Sequence, residues 1–295
     1  MTLFLQQLLP ILLSKNKGRA SAEEVKYWQF LSTLETKPRI MIAGFAAIAI
    51  VLLAIWIKIR YLDYRFYTPI ILPLKSKFKK PLQQYFPYYQ GLNEKEKRDF
   101  ERRVQYFIDV KEFYPRNMEA VTDEMKALIS ASAIQLTFGL PNIFLAHFKR
   151  ILIYPDTFFS TTNQQMHKGE VNPGHRIIVV SWNNFVSGYI ELDGINLGLH
   201  EMAHALHLEN RIMNNEYGFF DEAYIEKWNQ LSGLEIEKIR KNKNHFFREY
   251  AGNDMEEFFA VAVEYFFETP KAFKENLPEL YDSLSKLLNQ DPASL

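Results

Sequence analysis

Apolar and polar positions follow three different rhythms along this chain, and each rhythm predicts a different kind of element. From Ile40 to Ile57 no residue is charged, and small and branched apolar side chains fall on every face of a helix drawn through the run. Lys37 and Arg39 bound it on one side, Lys58 and Arg60 on the other, and Trp56 stands where an interfacial aromatic belongs. That length just spans a bilayer core, so a single transmembrane helix is expected over 39–58. Basic residues are denser after the span (Lys58, Arg60, Arg65, Lys75, Lys77, Lys79, Lys80) than before it (Lys26, Lys37, Arg39). The positive-inside rule then puts the remainder of the chain in the cytoplasm.

The second rhythm is helical. Ser21-Ala22-Glu23-Glu24 forms a capping box ahead of Val25, Trp28 and Leu31, so the segment 1–38, which begins with apolar Leu3 to Leu13, carries a short amphipathic helix. Asn93-Glu94-Lys95-Glu96 opens another helix with Phe100, Val104 and Phe107 on one face, and a further one is predicted from Asp123 to Phe138, stopped at Gly139. Between them and the span, 59–84 is basic and broken by Pro69, Pro73 and Pro81, which reads as an extended connector.

The third rhythm is short and branched: Ile151 to Tyr154, ended by Pro155, and Ile177 to Ser181 are predicted strands. Val179 to Trp182 could form a sheet edge that holds an extended peptide by main-chain hydrogen bonds, or an ordinary interior strand. The expected class is therefore α+β, mainly helical with a small sheet, in a domain over 85–295.

Composition removes several functions. Lys+Arg and Asp+Glu both number 35, so no global charge favours nucleic acid, and with no cysteine any metal must be held by His, Asp or Glu. His200-Glu201-Met202-Ala203-His204 meets that requirement. On a helix, residues four apart share a face, so both imidazoles can reach one zinc ion while Glu201 reaches the water it activates. Ile195, Leu197 and Leu199 before it, and Ala205, Leu206 and Leu208 after it, supply a helical context without proline.

A catalytic zinc site needs a third protein ligand. His207 shares the face but lies two turns from His200. The metzincin pattern fails, because the positions of its glycine and third histidine are His207 and Asn210. The run from Asn253 to Phe267 is so apolar that its acids need partners. Asn253-x-x-Glu256 reads as a capping box, which leaves Glu257 for zinc, although Asp254-x-x-Glu257 could also cap. Glu264 shares a face with Glu257 about two turns away, so it would support the site or be an ordinary paired acid. Tyr250 precedes this helix and could donate to an oxyanion, or simply pack.

Leu199 to His204, the Tyr250 segment and Glu257 to Phe267 together resemble the Mlc titration factor A family of zinc-dependent peptidases, related in catalytic core to the anthrax lethal factor protease. The likeness covers about 85–292 and includes Ile151 to Pro155 and Ser181-Trp182-x-x-Phe185. It implies a zincin-like fold and a gluzincin site, with His200, His204 and Glu257 binding Zn2+, Glu201 as general base and Tyr250 as transition-state donor. It implies a peptidase acting on peptide or protein substrates, which the expected span, outside the likeness and a departure from the soluble members of the family, would anchor to a membrane. The alternative is a membrane-tethered protein that sequesters a transcription regulator. His207 departs from the family pattern, where an acid is expected.

Overall fold

The computed structural model describes residues 72–140, 142–160, 164–241 and 244–294, with 22, 23, 26, 27, 30, 45 and 47–58 before them. The chain divides into two compact units, Met1–Tyr67 and Thr68–Leu295.

In the first unit the transmembrane expectation is overturned. Among the described residues no helix is long and apolar enough to cross a membrane. The single-pass placement with a cytoplasmic domain rested on that span and falls with it. Residues 39–44 and 46 lie outside the described residues, as do Leu3 to Leu13, Trp28 and the connector up to residue 71.

The second unit is α+β and mainly helical. Helix α1 (Ser76–Tyr85) occupies part of the sequence read as an extended connector. Pro81 is accommodated within it because Phe78, Pro81 and Leu82 are all buried, and that packing outweighs one missing N–H donor. Helix α2 (Pro87–Gly91) follows, then α3 (Glu94–Val110), whose N-terminus is closed by the predicted Asn93–Glu96 capping box. Strand β1 (Glu112–Pro115) leads to α4 (Asp123–Thr137), capped by Thr122, against which α1 and α3 pack.

Strands β2 (Arg150–Tyr154), β3 (Phe158–Ser160), β4 (Gln165–His167), β5 (Gly169–Asn172) and β6 (Ile177–Ser181) come next. The main sheet has the order β1-β2-β6-β5, with the first three strands parallel and β5 antiparallel to β6; β3 and β4 pair separately. Ile151, Ile153, Ile178 and Val180 face the main core, while Leu152 and Val179 pack with Phe158 on the other face. The predicted strand at 177–181 is thus interior. Among the described residues β5 stands beyond it at one end of the sheet, in register Gly169 opposite Val180, and Trp182 already belongs to the next helix.

Helix α5 (Trp182–Ile190) is followed by α6 (Leu197–Arg211), α7 (Glu222–Lys241), a 3-10 turn (Glu249–Gly252), α8 (Met255–Glu268), α9 (Pro270–Asn276) and α10 (Pro278–Leu288). Helices α6 and α8 pack against each other, and α6 also touches β5 and β6. This places the His-Glu-x-x-His helix between the acid-bearing helix and the edge of the sheet.

Candidate metal centre

Helix α6 starts where the Asn196 side chain accepts from Leu199 N–H at 3.0 Å. Leu199, Met202, Ala203, Ala205 and Leu206 are buried, and the four-residue spacing leaves His200 and His204 on one face with their Nε2 atoms 3.1 Å apart. Helix α8 is capped by Asp254, which accepts from the N–H groups of Glu256 and Glu257 at 2.9 Å. The cap is therefore one residue later than the Asn253–Glu256 box read from sequence. Glu256 turns to Arg211 at 3.4 Å, and the Glu257 side chain is free to face the histidines.

Glu257 Oε2 lies 3.3 Å from His200 Nε2 and 3.5 Å from His204 Nε2. It is buried and has no partner in hydrogen-bond geometry among the described residues. Three donor atoms thus converge within 4.8 Å of one another. Donors held at 2.0–2.1 Å around a tetrahedral ion are roughly 3.3 Å apart, so this trio fits a divalent metal. The orphaned oxygen is the detail a metal would explain, since a buried carboxylate oxygen left alone is costly.

The electrostatics agree. Burial alone would lower the His200 pKa, but the Glu257 and Glu264 carboxylates outweigh it and push His200 up to about 10. Burial opposes ionisation of Glu257, yet the two imidazoles hold it well below the usual carboxylate range. The pocket favours positive charge at the point where the donors meet.

Glu264 is 1% exposed, and its Oε1 lies 2.6 Å from His200 Nδ1. A carboxylate there holds the proton on Nδ1 and leaves the Nε2 lone pair for a metal. The same Oε1 accepts from Arg248 Nη2 at 2.6 Å. Glu201 is buried, and burial pushes its carboxyl pKa up against the pull of the two imidazoles. Tyr250 stands on the 3-10 turn with its ring 6.1 Å from that of His200. Burial and the adjacent Glu257 push its hydroxyl up to about 12, which keeps it a proton donor at neutral pH. All of these but His204 and Glu257 border a cleft of about 460 Å³, together with Lys168, Gly169, Asn184 and Ile195.

His207 is not part of the convergence. Its ring packs 5.8 Å from that of Phe259, and Arg211 Nη1 lies 3.4 Å from its Nε2. Two contributors went unread in the sequence. Gly169 stands on the edge strand so close to Glu201 that a Cβ would overlap its carboxylate. Arg248 would have been found only by its position two residues before Tyr250.

The profile of the glucose-regulated metallo-peptidase M90 family matches residues 71–288. An uncharacterized protein of Synechocystis sp. is 26% identical over 81% of this chain and 92% of its own length. Mlc titration factor A of Pectobacterium atrosepticum is 26% identical over 70% of this chain and 83% of its own, and that of Yersinia pestis matches at 26% over 70% and 82%.

Proposed function

Because the chain belongs to the glucose-regulated metallo-peptidase M90 family, we propose that it is a zinc-dependent peptidase of the gluzincin type. His200 and His204, through Nε2, and Glu257, through Oε2, would hold the ion. When bound there, zinc supplies Lewis acidity to a peptide carbonyl and acidifies the attacking water. Glu201 would take a proton from the attacking water and deliver it to the leaving amine, a task suited to a carboxylate whose pKa is raised by burial. The Tyr250 hydroxyl donates to the oxyanion of the tetrahedral intermediate. Glu264 keeps His200 in the tautomer that offers Nε2. An extended substrate would lie beside β5, the strand whose Gly169 adjoins Glu201.

The observation that carries this reading is the buried Glu257 Oε2, which has two imidazole nitrogens near it and no hydrogen bond. The test is zinc content of the purified protein together with a peptide-library digest by wild type and Glu201→Gln. Zinc in both proteins with cleavage only by wild type supports the proposal. Full activity in Glu201→Gln overturns the assignment of the base.

The name of the Mlc titration factor A relatives favours a second reading, in which this chain binds a protein regulator. Partner binding that persists after zinc removal, with no peptide cleaved, would establish that reading in place of the first.

A further inference from the structure

The loop between α5 and α6 forms one rim of the cleft, to which it contributes Asp193 and Ile195. Its backbone is held by side chains from distant parts of the chain. Gly194 N–H donates to Glu268 Oε2 at 2.8 Å, and Asn196 N–H donates to Glu264 Oε2 at 2.7 Å. Gly194 has a φ of +82° and lies so near the Tyr265 ring that a Cβ would come within 2.8 Å of it. The loop is therefore seated in one place by two carboxylates a turn apart on α8.

Arg248 completes the seat and reaches further. Its Nη1 donates to the Gly194 carbonyl at 2.6 Å, while its Nη2 donates to Glu264 Oε1 at 2.6 Å. That oxygen is the one bonded to His200 Nδ1. A guanidinium presents its nitrogens in a fixed planar fork, so the two bonds cannot adjust independently. Movement of the rim loop away from Arg248 would pull on the carboxylate behind His200. Glu264 is almost fully buried, and the guanidinium is the permanent cation that offsets its desolvation.

We propose that Arg248 is a positioning residue that couples the rim loop 193–196 to His200 through Glu264, so that metal binding and ordering of the loop favour each other. The inference rests on the metal-site reading above. Linkage then requires reciprocity: whatever ion binding does for the loop, the ordered loop does for ion affinity.

The test uses the full chain as wild type, Arg248→Met and Arg248→Lys. Zinc affinity is measured by competition with a chromophoric chelator, and hydrogen exchange of the Gly194 and Asn196 amides is followed with and without zinc. In wild type, zinc should slow exchange at both amides. Arg248→Met should bind zinc about 10- to 100-fold more weakly, as loss of a group supporting a metal ligand typically does, and zinc should protect the loop less than in wild type, with only the direct Asn196–Glu264 bond remaining as the link. Arg248→Lys, which restores the charge without the fork, should recover much of the affinity but not the protection.

A folded Arg248→Met that binds zinc as tightly as wild type overturns the proposal. So does equal protection of the loop by zinc in both proteins. Should Arg248→Met fail to fold, wild-type exchange and Arg248→Lys decide: no zinc-dependent protection in the former, or full protection in the latter, overturns it. A wild type that binds no zinc removes the metal-site reading itself, a result distinct from any difference among the variants.

Discussion

Gly169 and Glu201 are in direct contact across the gap between the sheet edge and the metal helix. Any side chain at 169 would overlap the Glu201 carboxylate. The obstacle is the far end of a flexible side chain, so Gly169→Ala should fold with little loss of stability while displacing the carboxylate. A misplacement of about 1 Å in a reacting group costs on the order of 100-fold in rate. We therefore expect kcat to fall by about that factor with zinc content unchanged, measured by steady-state kinetics and metal analysis of the same preparation.

Glu257→Ala removes the third donor and leaves two imidazoles, too few for a catalytic zinc site. Zinc per chain should fall from about one ion to a small fraction. Chelation of wild type should lower its melting temperature, because an ion bound only by the folded state stabilises that state. Chelator should leave the melting temperature of Glu257→Ala unchanged.

Tyr250→Phe deletes only a hydroxyl, at a side chain 47% exposed. Loss of one oxyanion donor costs about 2.7–4 kcal/mol, roughly 100- to 1,000-fold in kcat. The variant should retain zinc affinity and stability. A kcat equal to wild type would return Tyr250 to an ordinary packing role.

Glu268 gives a pH prediction. Burial raises its pKa from 4.5 to about 7, against the opposing hydrogen bonds from Asn196 and Gly194. Between those two values the folded state holds a proton that the unfolded chain has released. The stabilisation from this group is complete below about pH 4.5 and is lost as pH rises through about 7. Glu268→Gln should remove this component. The difference in unfolding free energy, wild type minus variant, should decline from pH 4.5 to 7 in urea titrations; a flat difference would refute the assignment.

What could be read from the sequence was what local pattern encodes. The Asn93–Glu96 box, the strands predicted at 151–154 and 177–181, and the paired histidines each depend on neighbours within a few residues, and the structure places them as the spacing requires, the first strand starting one residue earlier. The approach of Glu257 to the histidines could be guessed only because that acid stands in an apolar run. β5 was invisible because Gly169-Glu170-Val171-Asn172 has one branched apolar residue; its strand conformation comes from pairing with β6. Nothing local distinguishes Arg248 among 35 basic residues. The membrane span was not sustained, because an uncharged run reports hydropathy alone and among the described residues no helix is long and apolar enough to cross a bilayer.

The donors come from two helices, α6 and α8, that are widely separated along the chain. A polypeptide still on the ribosome, or one truncated before Met255, carries both imidazoles but no third donor. With the proposed ligand set, loading with metal would therefore wait until nearly the whole domain has emerged and folded. On the proposed mechanism, that arrangement would withhold peptidase activity from unfinished chains.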